Sequence, residues 1–137
     1  MTGVLNEEEL MDLEAVIVAD SCPFYPIIAT PLAIHYDDEC QQQAFPLLVQ
    51  NMEDPSDAVE SAMEKIGIRS ETIFDESMDA KELSLFVADK YWDESEAALI
   101  IEYNQSGYEL GVLATPLASY LSIPITVSYT HLTLPTN

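Results

Sequence analysis

Short, continuous apolar runs occur five times along the chain, and each has the length of a β-strand. The first reads Ala-Val-Ile-Val-Ala and is rich in β-branched residues. Runs without alternating polar residues are typical of strands that are buried on both faces of a sheet. The predicted strands lie at 15–19, 45–49, 72–74, 97–101 and 123–126.

Helix-start and helix-end signals lie between these strands. Asp54 followed by Pro55 predicts a helix with Asp54 as its N-cap, and Gly67 predicts its end. Asp79 with Glu82 three residues later resembles a capping box. Behind each start, apolar residues recur at three- and four-residue spacing, which predicts two amphipathic helices.

Two further segments, 25–36 and 108–121, are also predicted to be helical, with bends at Pro31 and Pro116. Strand and helix then alternate five times, with short connections. This alternation is typical of an α/β fold, and it predicts a parallel sheet with helices on both faces.

A five-residue motif, Ala-Thr-Pro-Leu-Ala, is repeated in the chain. It occupies 29–33 and recurs 85 residues later at 114–118. The match extends upstream to the preceding strands and to the aromatic pair Tyr25 and Tyr108, with two extra residues in the second copy. A period this long predicts tandem repeats of a domain rather than a short-repeat solenoid.

The repeat divides the chain into unequal parts. We expect a first repeat unit at 1–78, with its N-terminal part missing, and the start of a second, truncated unit at 79–126. The last eleven residues, 127–137, resemble a translation of the transposon-end adapter used in shotgun DNA sequencing. We interpret them as a non-native tail. His131 belongs to this tail, which leaves His35 as the single native histidine.

The repeated segments resemble the cell wall-binding repeat 2 family. The stretch Tyr-Glu-Leu-Gly-Val-Leu-Ala-Thr-Pro-Leu-Ala at 108–118 is similar to the family's alanine-rich helix, and Pro-Leu-Leu-Val at 46–49 is similar to the strand after it. The segment Asp-Ala-Lys-Glu-Leu at 79–83 resembles the start of another family helix. The resemblance implies extracellular, tandem α/β modules at a cell surface that attach proteins to anionic wall polymers, without catalysis and without a cofactor.

The charge of the chain limits its partners. It has 25 acidic and 4 basic side chains, for a formal net charge of −21 at pH 7. Four cations cannot neutralise a phosphate backbone, so we expect no nucleic acid as partner. No apolar run reaches the roughly 20 residues that cross a membrane, so we expect no membrane insertion. The charge also opposes an anionic wall polymer, which leaves a neutral glycan, a partner bridged by divalent cations and a sister module open.

Polar and aromatic residues follow the first and fourth predicted strands. Open α/β sheets bind ligands at this carboxyl edge, and tyrosine rings can stack on sugars. Asp, Ser and Asn are also favoured in turns and helix caps, so a purely structural role stays open. The candidate binding residues are Asp20, Ser21, Tyr25, Asn104, Ser106 and Tyr108.

An enzyme is the alternative hypothesis. Asp20, Asp75 and Glu102 follow or end predicted strands, and carboxylates at one sheet edge can hold Mg²⁺ for phosphoryl transfer. The four glycines of the chain form no phosphate-binding loop, and without a second native histidine a hydrolase triad has no support. Apart from the carboxylates of this enzyme hypothesis, the sequence identifies no metal ligand.

Overall fold

The structure is a computed structural model, which describes residues 3–11, 13–37, 39–51, 53–54, 56–67, 72–74 and 78–129. Within these ranges the chain forms five helices and nine short strands in a mixed α/β arrangement. In chain order they are β1 (Gly3–Leu5), α1 (Glu7–Met11), β2 (Val16–Ala19), α2 (Phe24–Ala33), β3 (Ile34–Tyr36), β4 (Gln42–Ala44), β5 (Leu47–Gln50), α3 (Asp57–Ile66), β6 (Thr72–Phe74), α4 (Ala80–Tyr91), β7 (Trp92–Ser95), β8 (Leu99–Glu102), α5 (Gln105–Leu121) and β9 (Ile125–Ser128).

The five apolar runs form strands that pair in parallel, as expected. β2 lies at the centre of a three-stranded sheet in the order β5–β2–β6, and β8 pairs with β9. Among the described residues these strands belong to two separate sheets rather than to one continuous sheet. The last pair also places Val127 and Ser128, the first residues of the predicted tail, in β9 opposite Ile101 and Glu102.

Two antiparallel pairs were not predicted from the sequence. β1 pairs with β7, and β3 pairs with β4 in a register that places His35 opposite Gln43. β4 reads Gln-Gln-Ala and β7 reads Trp-Asp-Glu-Ser, so neither contains an apolar run. Their backbone groups pair at the surface of the molecule, where side chains do not have to be apolar.

The core forms around β2 and α2. Every residue of β2 is fully buried, because helices and strands cover it on all sides. α2 contacts β2 and β5 of one parallel sheet and β9 of the other, and it also packs on α4 and α5. Its residues Ile28 and Leu32 meet Leu83 and Val87 of α4 in one apolar cluster. This packing holds the two parallel sheets in a fixed relation to each other.

The predicted start of α3 is wrong by two residues. Its N-cap is Ser56, whose hydroxyl accepts a hydrogen bond from the Val59 N–H at 3.2 Å. Asp54 instead lies in a turn, since its own N–H donates to the side chain of Asn51. The predicted end is confirmed, because Gly67 adopts the left-handed conformation with φ of 76°.

The other predicted helix boundaries need smaller changes. Asp79 caps α4 as expected, and its carboxylate accepts from the Glu82 N–H at 2.7 Å. Residues 34–36 form a strand instead of the end of a helix, since Ile34 has extended backbone angles. Both motif prolines lie inside their helices, and the threonine before each one donates to the carbonyl four residues earlier.

Ser122 connects the end of α5 to two antiparallel pairs. It is fully buried, with a left-handed φ of 56°. Its hydroxyl accepts from the Tyr36 N–H at 3.1 Å and donates to the Tyr36 carbonyl at 2.8 Å. Its own carbonyl accepts from Nε1 of Trp92 at 2.7 Å. A side chain at Gly3 in β1 would overlap this carbonyl, so the junction also requires glycine there.

Candidate functional site

The loops that follow β2 and β8 meet in space. The ring of Phe24 lies 4.8 Å from the ring of Tyr103 and 5.8 Å from that of Tyr108, measured between centroids. Sγ of Cys22 lies 3.8 Å from the hydroxyl of Tyr103. We call Phe24, Tyr103 and Tyr108 the aromatic cluster. It joins the carboxyl ends of the two parallel sheets, so side chains from both loops face a common surface.

The polar candidates lie around this cluster. Asp20, Ser21 and Ser106 are exposed. Asn104 is the N-cap of α5, because its side-chain oxygen accepts from the Gly107 N–H at 2.7 Å, and its amide group donates to the Glu102 carboxylate at 2.9 Å. Asn104 therefore has the helix-cap role that was considered for it. The exposed surface of Asn104 is still available to a ligand.

Tyr25 has no exposed ring face. It is only 4% exposed, and its hydroxyl donates to the backbone carbonyl of Met78 at 2.5 Å. The expected stacking of a sugar on Tyr25 therefore has no support in this structure. The reason is tertiary, since α2 turns this residue toward the loop before α4.

Tyr103 was missed by the sequence analysis although it is the best-placed aromatic residue. It follows β8 directly and is 46% exposed. Its hydrogen bond with the Cys22 thiol, the charge of Cys22 and partial burial raise the pKa of its phenol above the usual 10. Its position immediately after an apolar run was the one signal that could have identified it.

Tyr129 covers part of this surface in the present chain. Its ring lies 4.6 Å from that of Tyr103 in an edge-on arrangement, and its hydroxyl accepts from the Lys81 backbone N–H at 3.4 Å. Burial is the main reason why the pKa of its phenol is raised. Tyr129 belongs to the segment predicted to derive from an adapter, so the candidate site does not include it.

A shallow groove extends from the aromatic cluster between α2 and α5. Its volume is about 420 Å³, and it brings Asp20 and Tyr108 together with Cys22, Thr30 and Thr115. Two of the six candidate residues, one from each loop, therefore line one groove. The threonines are those of the repeated motif, and both hydroxyls are already hydrogen-bonded within their helices.

The carboxylates of the enzyme hypothesis are not assembled into a metal site in the part of the chain that is described. Asp20 is exposed, and Glu102 is hydrogen-bonded by Asn104. Asp75 lies outside the described residues. No three His, Cys, Asp or Glu side chains of the described ranges are arranged to hold a metal ion.

A second and larger cleft lies on another part of the molecule. Its volume is about 830 Å³, and α1, β1, β3 and β4 form most of its wall. His35 lies in this wall and is only 2% exposed. Burial lowers the pKa of its imidazole below the usual 6.5, although the Leu32 and Pro31 carbonyls and the charge of Asp37 oppose this shift. From the sequence, His35 was the single native histidine, which supports neither a hydrolase triad nor a histidine-rich metal site, and the cleft was not predicted.

No protein-family model, curated protein or solved structure matches the chain. The resemblance to the cell wall-binding repeat 2 family therefore stays a prediction. Across the described ranges, none of the helices has the length and apolar character needed to cross a membrane.

Proposed function

We propose that the chain is a non-catalytic, cell-surface binding module that holds a neutral glycan at its aromatic cluster. The observation that supports this proposal is the meeting of the two loops, in which Phe24 packs on both Tyr103 and Tyr108. One ligand can therefore contact both parallel units at once.

The chemistry of the surface suits a sugar. A pyranose ring has an apolar face of C–H groups, which packs against an aromatic ring, and hydroxyls around its edge that need hydrogen-bond partners. Tyr103 offers a ring that is 46% exposed. Asp20, Ser21 and Ser106 are exposed nearby and supply donors and acceptors. A glycan lying over Tyr103 would find both kinds of contact.

The charge favours a neutral glycan over an anionic polymer. With a net charge of −21, the chain repels polyanions over about 10 Å at ordinary ionic strength. A polymer of phosphates would reach the surface only with bridging cations. The proposed ligand is therefore an uncharged glycan. Binding of a cation-bridged polymer or of a sister module would be a different outcome of the test.

We also infer that the two parallel units arose by duplication. In the first, Val16 N–H donates to the Pro46 carbonyl, and in the second Leu99 N–H donates to the Pro124 carbonyl, at 2.8 and 3.0 Å. The strands of each pair then continue in register for four residues. The units also differ. The β3–β4 hairpin lies between α2 and β5 and has no counterpart between α5 and β9, and α5 is longer than α2.

The test is affinity electrophoresis of the full chain through gels that contain a soluble neutral polysaccharide, for example a β-glucan or a mannan. Tyr103→Ala should lower the affinity at least about fivefold, because a stacked ring contributes about 1 kcal/mol or more. Tyr120→Ala is the matched control. Tyr120 is 64% exposed and also contacts one tyrosine, Tyr36, but it lies at the opposite end of α5.

Three results would contradict the proposal. One is the absence of retardation by every neutral polysaccharide, and another is an equal effect of the two tyrosine substitutions. The third is binding of a teichoic acid in the presence of Ca²⁺ only, which would support a cation-bridged polymer instead. Self-association measured by sedimentation, with no glycan binding, would favour a sister module.

A further inference from the structure

The large cleft combines acidic and apolar walls. Four carboxylate side chains line it, and none of the described residues that line it is a lysine or an arginine. Leu10 and Phe45 contribute apolar surface. Its volume of about 830 Å³ lies within the range of small-molecule sites. The four carboxylates belong to Glu7, Glu8, Asp37 and Asp93.

His35 gives this cleft a buried hydrogen-bond acceptor. Nδ1 of His35 lies 3.1 Å from the carbonyl oxygen of Leu32, and because a carbonyl can only accept, Nδ1 carries the hydrogen. Nε2 then carries a lone pair. Nε2 has no hydrogen-bond partner among the described residues. Nε2 also keeps some exposed surface, because it is not among the polar side-chain atoms of the described residues that are both fully enclosed and without a partner. His35 as a whole is only 2% exposed and lines this cleft, so we infer that the lone pair faces the cleft.

The ring of His35 is held in place from two sides. It stacks on Phe45 with the centroids 6.3 Å apart and an angle of 29° between the rings. Its backbone pairs with that of Gln43 across the β3–β4 hairpin, and the Gln43 amide donates to the Asp37 carboxylate at 3.0 Å. The lone pair and one carboxylate of the cleft are thus fixed by the same hairpin.

We propose that this cleft binds a small organic cation that has an ammonium N–H and an apolar body. The ammonium group would donate to Nε2 of His35, and the surrounding carboxylates would balance its charge. The apolar body would pack on Phe45 and Leu10. A neutral ligand would not use the carboxylates, and an anion would be repelled by them. This site is separate from the aromatic cluster, so the two proposals can fail independently.

The probe is 2-phenylethylammonium, titrated into the full chain by calorimetry, with 2-phenylethanol as its uncharged counterpart. The alcohol should bind at least about tenfold more weakly, because a charged donor makes the stronger hydrogen bond. His35→Asn should lower the affinity for the cation at least about tenfold, since the Asn amide can still donate to Leu32 but no acceptor remains at the position of Nε2.

A second pair of variants tests the charge. Asp93→Asn removes a carboxylate from the wall of the cleft and should weaken binding about two- to fivefold, whereas Asp89→Asn, at an exposed position of α4 outside the cleft, should leave it unchanged. The imidazole ¹⁵N resonances provide a direct readout, and His131→Gln identifies those of His35. Nε2 of His35 should shift on addition of the cation.

The proposal is overturned if the cation and the alcohol bind equally, if neither binds, or if Nε2 of His35 does not shift. Binding of Ca²⁺ in place of the organic cation would also overturn it. If His35→Asn does not fold, the comparison of the two probes and the aspartate pair still decide the question.

Discussion

The substitution Ser122→Ala should destabilise the fold by about 2–3 kcal/mol. The hydroxyl of Ser122 makes two hydrogen bonds, to the N–H and to the carbonyl of Tyr36, at 3.1 and 2.8 Å. Each of the two Tyr36 backbone groups left without its partner costs about 1–3 kcal/mol when water cannot replace the serine. Because Tyr36 is half-buried, we take about 1–1.5 kcal/mol for each group, which gives the total of about 2–3 kcal/mol.

Ser119→Ala is the matched control, and Ser119 lies in the last turn of α5. Ser119 is also buried, but its hydroxyl has no hydrogen-bond partner among the described residues. Removing an unsatisfied buried hydroxyl should change the stability by less than about 0.5 kcal/mol or increase it. The two variants lose the same atom three residues apart, so the difference between them isolates the hydrogen bonds of Ser122.

Urea unfolding followed by tryptophan fluorescence measures both effects. Trp92 is the only tryptophan of the chain, and its Nε1 donates to the Ser122 carbonyl, so its emission reports on this junction. Far-ultraviolet circular dichroism should give the same midpoint if unfolding is two-state. Equal losses of stability in Ser122→Ala and Ser119→Ala would refute the assignment of the junction.

Three further predictions concern other elements. Gly3→Ala should separate β1 from β7, because the new methyl group would overlap the Ser122 carbonyl, and faster amide hydrogen exchange in β7 but not in β2 would show it. Asp79→Ala should cost about 1 kcal/mol through loss of the cap on Glu82, and a change below about 0.3 kcal/mol in urea unfolding would contradict this role. Burial lowers the pKa of His35 in the folded chain, so as the pH falls through 6.5 the unfolded chain binds a proton at this residue before the folded chain does. The contribution of His35 to the free energy of unfolding is therefore lost toward lower pH. The stability advantage of the wild type over His35→Asn should therefore shrink between pH 7.5 and 5.5, and a constant difference in urea unfolding would contradict the burial of a neutral imidazole.

Much of the local structure was predictable because its causes lie within a few residues. The run at 15–19 contains the buried central strand, since a strand that is covered on both faces favours apolar residues. Asp79 and Gly67 were identified correctly because a cap acts on the helical turn beside it. The predicted start of α3 was wrong for a local reason as well. The Asp54 N–H donates to the side chain of Asn51, and this hydrogen bond places Asp54 in a turn.

The candidate site was predictable only in part. The sequence placed Asp20 after the first strand and Tyr108 at the start of the helix after the fourth strand, and the structure brings both into one groove. It did not distinguish Tyr25, which is buried, from Tyr103, which is exposed. The two tyrosines differ in what covers them, and the partner of Tyr25 is a carbonyl 53 residues away.

The sequence by itself determined the number and parallel pairing of the apolar strands, the N-cap of α4, the glycine that ends α3 and the strong negative charge. The tertiary structure decided which side chains face solvent, how the strands divide between two sheets and where the polar strands β1, β4 and β7 pair. It also placed His35 in the wall of an acidic cleft, which no local pattern indicates. The reason is that apolar periodicity and capping act over one or two turns, whereas exposure and charge balance depend on residues that only folding brings together.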